Sequence, residues 1–238
     1  MIYVVGLGPG DAQARTAAAA EAIGRASVLI GYGAYIDLIR AEFPEKPAFE
    51  NGMTGEVARC REAIRLSREG KTVAVVCSGD ASVYGMASLI LELSDEADEV
   101  EIVPGVTAAL AASAALGAPF SGDLAIVSLS DLLTPWEVIE RRLNAAAAGD
   151  FPVALYNPAS KSRADHLRRA ADILLGARAG DTPCGWVRCI ARTGQAQKIL
   201  TLSALRDERV DMFTTIVVGN SQTIVKYGKL ITPRGYRT

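Results

Sequence analysis

The chain has 238 residues, half of them apolar, and a formal net charge of −2. This length allows one large hydrophobic core or two modest ones. The small net charge and the scattered basic residues exclude a strong general attraction for nucleic acid. The apolar runs are too short for a membrane span, and residues 2–6 already read as a strand, so we expect a cytoplasmic location and no membrane partner.

The cysteines and the single histidine do not form a metal-binding pattern. The four cysteines contain no CxxC pair, and this favours reduced structural thiols over a metal site or a disulfide set. His166 falls in a polar helical segment, KSRADHLRRAADILL, where the sequence predicts a solvated side chain. No metal site is therefore predicted.

The first half of the chain alternates strand-like and helix-like segments. Strands are predicted at 2–6 (IYVVG), 26–31 (ASVLIG), 71–80 (KTVAVVCSGD) and 100–105 (VEIVPG). Helices are predicted around 12–25, at 56–70, at 88–97 and at 107–117. This alternation indicates a parallel sheet with covering helices.

The second half follows a different pattern after GAPFSGD at 117–123, where we place a domain boundary that gives domains 1–118 and 119–238. Strands are predicted in DLAIVSLS, FPVALYNP, CGWVRCIAR, QKILTLSAL and FTTIVVGNS, with helices in PWEVIERRLNAAAAG and SRADHLRRAADILLGAR. Consecutive strands late in the chain favour a mixed sheet. The predicted fold class is therefore α/β, with two domains.

Three loops of the first half follow predicted strands, where ligands gather in an open parallel sheet. The first is GLGPGD at 6–11, whose sixth position is Asp11 rather than the glycine of a dinucleotide fingerprint. The second, SGDASVYGM at 78–86, contains Asp80 and Tyr84, and the third, VPGVTAA at 103–109, contains Thr107. Each loop alone could equally be a ligand-binding loop or a purely structural one, that is, a tight turn or a helix cap. Together they favour a ligand site.

These three motifs, in this order, resemble those of the tetrapyrrole methylases, a family that methylates uroporphyrinogen and precorrins and includes diphthine and ribosomal-RNA ribose methylases. Further segments resemble the members that methylate C17 of precorrin-3B: GYGAYIDLI at 31–39, NGMTGEVARCREAI at 51–64, LYNPASKSR at 155–163, DMFTTIVVGNSQT at 211–223 and ITPRGY at 231–236. The resemblance spans nearly the whole chain. One departure is that Cys77 and Ala81 stand where SSGDPG is more usual.

The resemblance implies a two-domain tetrapyrrole-methylase fold with S-adenosyl-L-methionine in a cleft between the domains, and S-adenosyl-L-homocysteine as its product. It also implies a homodimer and a role in cobalamin biosynthesis. The cofactor-binding residues that it implies are Gly8, Pro9, Gly79, Asp80, Ala81, Val83, Tyr84, Thr107, Ala108, Tyr156, Asn157, Gly219, Asn220, Ser221, Thr232 and Pro233.

The same resemblance implies a large tetrapyrrole substrate that carries many carboxylates. We expect it to contact Pro9, Gly10, Asp11, Lys161, Arg163, Arg192 and Arg234. Methyl transfer itself needs alignment more than acid–base groups. The accompanying ring contraction requires a proton to move at an oxygen, and Asp80, Tyr84 and Asn157 are the candidates for that role.

Four alternatives stay open at this point. A counterpart enzyme could act on the cobalt-bearing macrocycle, cobalt-factor III, or another precorrin methylase could act at a different ring carbon. A protein or RNA target is less favoured, because no basic or aromatic nucleic-acid surface is evident. A non-catalytic nucleotide-binding module would use similar glycine-rich loops, but it would not explain the motifs of the second half.

Overall fold

The computed structural model describes residues 1–52, 54–160 and 163–237. The chain divides into two compact units, Met1–Ala108 and Ala109–Thr238. The elements of the first unit are β1 (Ile2–Gly6), α1 (Ala17–Arg25), β2 (Val28–Tyr32), α2 (Gly33–Ile36), β3 (Ala48–Asn51), α3 (Glu56–Arg68), β4 (Val73–Cys77), α4 (Ala87–Leu93) and β5 (Val100–Val103).

The first unit contains a five-stranded parallel sheet in the order β3-β2-β4-β1-β5. Strand β1 is buried along its whole length, and its side chains alternate between two cores. Ile2 and Val4 pack with α3 and α4 residues on one face, and Tyr3 and Val5 pack with α1 residues on the other. Burial on both faces explains why the central strands read as continuous apolar runs.

The second unit begins with α5 (Ala108–Leu116), whose first residue closes the first unit. The remaining elements are β6 (Gly117–Ala118), β7 (Ala125–Ser128), α6 (Trp136–Ala148), β8 (Val153–Tyr156), α7 (His166–Leu175), β9 (Pro183–Arg188), β10 (Ala196–Thr201), α8 (Leu202–Leu205), β11 (Thr214–Val218), β12 (Ile224–Lys226) and β13 (Lys229–Ile231). The main sheet has the order β10-β9-β11-β8-β7, and a small sheet has the order β12-β13-β6.

The main sheet of the second unit is mixed, as the sequence predicts. Strand β8 is parallel to β7, and β11 is antiparallel to both β8 and β9. The carboxyl ends of β7, β8 and β9 therefore lie at one edge of the sheet, together with the start of β11. Because β11 runs in the opposite direction, its end lies at the opposite edge of the sheet. The loop after β11 therefore cannot join the loops after β7, β8 and β9 in one site.

Helix α5 lies with the second unit, whereas the sequence pattern groups it with the first. The Nε2 atom of Gln197 donates a hydrogen bond to the Ala115 carbonyl at 3.2 Å. A Cβ added at Gly185 would come within 2.8 Å of the Leu116 side chain. These contacts join the end of α5 to β9 and β10, and the observed division falls between Ala108 and Ala109, ahead of the glycine- and proline-rich segment.

The solvated position predicted for His166 is wrong. His166 is the first residue of α7 and is 3% exposed. Its ring stacks on Trp136, with centroids 4.9 Å apart and an interplanar angle of 26°. The buried residues of α7 recur at helical spacing, so His166 belongs to the same buried stripe as Ala170 and Leu174.

Within the described ranges, no helix combines the length and the apolar character needed to cross a membrane. The same residues contain no group of three or more His, Cys, Asp or Glu side chains arranged to hold a metal ion.

The core of the second unit gives the first testable prediction. Leu143 on α6 is fully buried, so Leu143→Ala leaves a cavity and should lower the free energy of unfolding by about 2–5 kcal/mol. Urea unfolding followed by tryptophan fluorescence measures this, because both tryptophans, Trp136 and Trp186, lie in the second unit. The exposed neighbour Arg142→Ala is the control, and equal losses in the two variants would contradict the assignment of the core.

Candidate functional site

Three loops of the first unit meet at the carboxyl ends of β1, β4 and β5. Gly8 and Gly79 exchange two backbone hydrogen bonds, at 3.0 and 2.7 Å. A Cβ added at Gly6 would come within 2.7 Å of both the Gly105 nitrogen and the Gly79 oxygen. Main chain packs directly against main chain here, and a larger residue at Gly6 would separate the loops.

The Asp80 carboxylate joins the second of these loops to the third. One oxygen, Oδ1, accepts hydrogen bonds from the Ser82 nitrogen at 2.9 Å, the Ser82 hydroxyl at 2.5 Å and the Val83 nitrogen at 3.2 Å. The other, Oδ2, accepts a hydrogen bond from the Gly105 nitrogen at 2.9 Å. Asp80 thus fixes its own loop and also holds the loop that follows β5.

These hydrogen bonds also determine the charge of Asp80. Partial burial acts to raise the pKa of its carboxyl, but the hydrogen bonds from Ser82, Gly105 and Val83 together lower the pKa below its ordinary value. The group is therefore ionised near neutral pH and is a weak base. Its geometry supports a positioning role more than the acid–base role predicted from the sequence.

The other predicted residues of the first unit surround this junction. Tyr84 is about half exposed and has a left-handed backbone, with φ of 56°. Thr107 is buried just before α5, and a Cβ added at Gly79 would lie 3.7 Å from the Thr107 Cα and 3.6 Å from the Ala108 nitrogen. Gly79, Thr107 and Ala108 are thus brought together by the fold.

Ala81 and Val83 belong to the loop that Asp80 organises. Ala81 is fully buried, and its carbonyl accepts a hydrogen bond from the nitrogen of Ala87, the first residue of α4. Val83 donates its backbone N–H to Asp80 at 3.2 Å. Both residues therefore follow the same turn as Gly79 and Asp80.

The first loop, which contains the predicted cofactor residue Gly8 and the predicted substrate residues Gly10 and Asp11, forms a tight turn. Gly8 has φ of 76°, and a Cβ there would come within 2.7 Å of the Ala14 carbonyl. Gly10 and Asp11 follow at the surface, and Asp11 Oδ1 accepts a hydrogen bond from the Ala14 nitrogen at 2.8 Å. Asp11 thus stabilises the loop that also contains Pro9.

Cys77, which stands where the family pattern has a serine, is a structural residue. Its sulfur accepts a hydrogen bond from the Met86 nitrogen at 3.4 Å and so connects the end of β4 to the end of the loop. Burial raises the pKa of the thiol to about 12, so the thiolate is scarce near neutral pH.

The second unit brings Tyr156 and Asn157 to the edge where β7, β8 and β9 end. The Tyr156 hydroxyl accepts a hydrogen bond from the Ala109 nitrogen in the first turn of α5, at 2.6 Å. The Asn157 amide donates to the Ser128 hydroxyl at 2.9 Å, and Asn157 has a left-handed backbone, with φ of 53°. Both side chains are therefore held by neighbours within the second unit.

The same edge contains residues that the sequence does not single out. Cys189 and Ala191, just after β9, have positive φ values of 49° and 54°, and the Cys189 nitrogen donates to the Phe213 carbonyl at 3.0 Å. Arg188 Nε donates to Asp211 Oδ2 at 2.7 Å. Neither positive-φ position is occupied by glycine or asparagine, so the sequence gives no local signal of this turn.

The structure does not bring Gly219, Asn220 and Ser221 to that edge, because they follow the end of β11. Ser221 donates its nitrogen and hydroxyl to Asp150 at 3.0 and 2.6 Å, close to the start of β8. Asn220, Thr232, Pro233 and Arg234 line a cavity of about 310 Å³. The cofactor residues predicted in the second unit thus fall into two separate groups.

The predicted cationic residues are also separated. Arg163 donates from Nε to the Ser160 hydroxyl at 3.0 Å and from Nη1 to the Ser130 hydroxyl. Arg192 lies in the turn after β9, where its nitrogen donates to the Cys189 carbonyl at 3.0 Å. Arg234 lines the cavity at the other edge, and Lys161 lies outside the described residues.

Comparison with known proteins agrees with this architecture. A family profile described as Tetrapyrrole (Corrin/Porphyrin) Methylases matches residues 1–206. The chain is 44% identical over 239 residues to the "Probable cobalt-factor III C(17)-methyltransferase" of Salmonella typhimurium, covering 99% of each chain.

Two solved structures are also similar. The "methyltransferase CobJ" has a TM-score of 0.90 and 35% identity, and the match covers 98% of this chain and 99% of that one. A uroporphyrin-III C-methyl transferase from Thermus thermophilus, complexed with S-adenyl homocysteine, has a TM-score of 0.70 at 21% identity over 92% and 96% of the chains. The second likeness concerns the fold alone.

Two units, a parallel and a mixed sheet, and glycine-rich loops at strand ends define an α/β enzyme fold of the methyltransferase type. The chain belongs to the tetrapyrrole (corrin/porphyrin) methylase family.

The role of Asp80 gives the second prediction. Asp80→Ala removes the acceptor of four hydrogen bonds, and we expect it to lower the free energy of unfolding of the first unit by on the order of 1 kcal/mol at pH 7. Since folding lowers the pKa of Asp80, its stabilisation is present above the pKa of the unfolded chain and is lost as pH falls through the folded value.

The difference in stability between the parent protein and Asp80→Ala should therefore shrink below about pH 4. Urea unfolding followed by circular dichroism at several pH values measures it, with the exposed Asp11→Ala, which removes a single hydrogen bond, for comparison. A difference that grows on acidification would contradict the role given to Asp80.

Proposed function

We propose that this protein transfers a methyl group from S-adenosyl-L-methionine to C17 of a corrin precursor, with contraction of the macrocycle, in cobalamin biosynthesis. The observation that carries the proposal is the 44% identity to the Salmonella C17-methyltransferase, which extends over 99% of both chains. Membership of the tetrapyrrole methylase family and the S-adenyl homocysteine complex of the Thermus homologue support the cofactor.

The residues of the first unit fit such a cofactor. Gly79 lacks a side chain where its backbone lies beside Thr107 and Ala108, and Asp80 holds the neighbouring main chain in place. Gly79, Val83, Thr107 and Ala108 are the proposed contacts, and the fully buried Ala81 supports the turn that presents them. When bound, the cofactor supplies an electrophilic methyl group, and the protein's part is to align the reacting carbon with it and to exclude water.

Tyr156 and Asn157 are the proposed contacts from the second unit. Both are fixed by hydrogen bonds, to Ala109 and Ser128, so they require little ordering when a ligand binds. Gly219, Asn220, Ser221, Thr232 and Pro233 lie at the other edge of the sheet, and we do not assign them to the same contact set.

Ring contraction requires a proton to move at an oxygen of the macrocycle, and Tyr84 is the strongest of the three candidates. Asp80 is held ionised by its hydrogen bonds and has a lowered pKa. Asn157 does not titrate, so it can orient an oxygen but cannot exchange a proton with it. Tyr84 extends from the same loop as Asp80 and exposes half of its surface.

Arg192 is the proposed partner for a substrate carboxylate, because it follows β9 at the edge that contains Asn157. Arg163 already donates from two of its nitrogens to serine hydroxyls, and its proposed role is to hold a loop. Arg234 lines the cavity at the opposite edge.

Two macrocycles are candidates for the substrate. The segments quoted from the sequence resemble the enzymes that act on precorrin-3B, which contains no metal. The name of the Salmonella relative favours cobalt-factor III, the cobalt-bearing counterpart. A homodimer, expected from the resemblance, also remains a prediction.

The third prediction tests the reaction. Incubation with S-adenosyl-L-methionine labelled in its methyl group should transfer label to C17 of one of the two macrocycles, located by mass spectrometry and NMR of the product. Boiled protein is the control. Label at another ring carbon would indicate a different methylase of the pathway, and cofactor binding with no transfer would favour a non-catalytic nucleotide-binding module.

The fourth prediction separates the two chemical steps. Tyr84→Phe removes only the hydroxyl, so we expect S-adenosyl-L-homocysteine affinity to stay within about twofold while the yield of contracted product falls by about 10²-fold or more. Tyr3→Phe, at a buried position in β1, is the matched control. Unchanged contraction in Tyr84→Phe would remove Tyr84 from the acid–base role.

A further inference from the structure

The loop that joins β7 to α6, residues 129–135, presents two adjacent leucines to solvent. Leu132 is 70% exposed and Leu133 is 92% exposed, more than any other large aliphatic side chain in the described part of the protein. Single exposed apolar residues need no explanation, whereas contiguous exposed apolar surface marks interaction sites, and here two such side chains are adjacent. We refer to residues 129–135 as the leucine loop.

The base of the leucine loop is tied to β8. The Leu129 nitrogen donates to the Tyr156 carbonyl at 2.8 Å, and the Ser130 nitrogen donates to the Ser128 hydroxyl at 3.2 Å. The same Ser128 hydroxyl accepts the Asn157 amide at 2.9 Å. Because Ser128 pairs with Tyr156 in the sheet, the leucine loop starts at the edge where the proposed reaction contacts lie.

A second attachment comes from the start of α7. Asp131 Oδ2 lies 3.3 Å from His166 Nε2. Nδ1 of His166 is buried and has no hydrogen-bond partner among the described residues, so Nε2 is the nitrogen through which the ring interacts. The Arg163 guanidinium also donates to the Ser130 hydroxyl. The consecutive loop residues Ser130 and Asp131 are therefore both contacted by side chains from the segment at the start of α7.

The histidine that contacts Asp131 is itself buried and packed. Its ring stacks on Trp136, and the Arg169 guanidinium carbon lies 3.8 Å from the centroid of the Trp136 ring. Trp136 begins α6, directly after the leucine loop, and is 8% exposed. Both ends of the loop are therefore attached to packed parts of the second unit, and the two leucines lie between these attachments.

We propose that Leu132 and Leu133 form the apolar contact for one face of the tetrapyrrole macrocycle, and that His166, acting through Asp131, is a positioning residue for this contact. The inference rests on the proposed function. A macrocycle offers broad apolar faces and a carboxylate rim, which matches two leucines at an edge that also contains Asn157 and Arg192. The contact governs substrate affinity and plays no part in holding the cofactor.

The test is the double variant Leu132→Ser/Leu133→Ser, compared with the matched control Leu91→Ser on α4, which removes another exposed leucine. The double variant should raise KM for the macrocycle about tenfold or more, because apolar area stays in water. We expect kcat and the Kd for S-adenosyl-L-homocysteine to stay within about twofold, and Leu91→Ser should behave as the parent protein. An unchanged KM would overturn the proposal.

Asp131 supplies the test of positioning. Asp131→Ala should raise KM in the same way with kcat retained, and Asp131→Asn, which keeps an acceptor oxygen for His166, should restore most of the parent KM. A general loss of structure would lower kcat and cofactor affinity as well. Equal behaviour of the alanine and asparagine variants would remove the His166–Asp131 contact from this role.

Direct titration of precorrin-3B and of cobalt-factor III, followed by tryptophan quenching, separates this inference from the proposed function. If the parent protein binds a macrocycle without methylating it, the proposed function fails, and the leucine variants are still compared by their Kd. If the double variant alters the sedimentation coefficient and leaves macrocycle affinity unchanged, the leucines contact a second copy of the chain and the proposal is wrong.

Discussion

The close approach of three main-chain loops at the carboxyl ends of β1, β4 and β5 is the constraint on which the first unit depends. Gly6, Gly79 and Gly105 come so near one another that no side chain fits at Gly6 or Gly105, and the Asp80 carboxylate joins two of the loops through the Gly105 nitrogen. A parallel sheet brings these loops together because all its strands end at the same edge. Asp80 then fixes their separation.

Much of this arrangement could be predicted from the sequence. The glycine-rich loops, the alternation of strand and helix and the mixed second sheet follow from local composition and hydrophobic period. The function of Asp80 could not be predicted in this way. A carboxylate after a strand can cap a turn or act as a base, and the decision depends on an N–H group that arrives from Gly105 in another loop.

Other differences have equally specific causes. Gly219, Asn220 and Ser221 could not be separated from Tyr156 and Asn157 in advance, because sequence order does not give the direction of β11 in the sheet. The burial of His166 was in principle visible, since it shares the helical spacing of Ala170 and Leu174. The positive φ values of Cys189 and Ala191 carry no local signal at all.

The two candidate contact regions differ in the kind of atoms that form them: main-chain atoms in the first unit and side chains in the second. The junction in the first unit consists of main-chain atoms, glycines and the Asp80 carboxylate, which accepts four hydrogen bonds. The edge of the second unit instead presents side chains, among them Tyr156, Asn157 and the exposed leucines. Substitutions are therefore constrained at the first by backbone sterics and are freer at the second. A substitution at the first junction has to be accommodated by the main chain of three loops at once, whereas a side chain at the edge of the second unit can be replaced singly without moving the backbone.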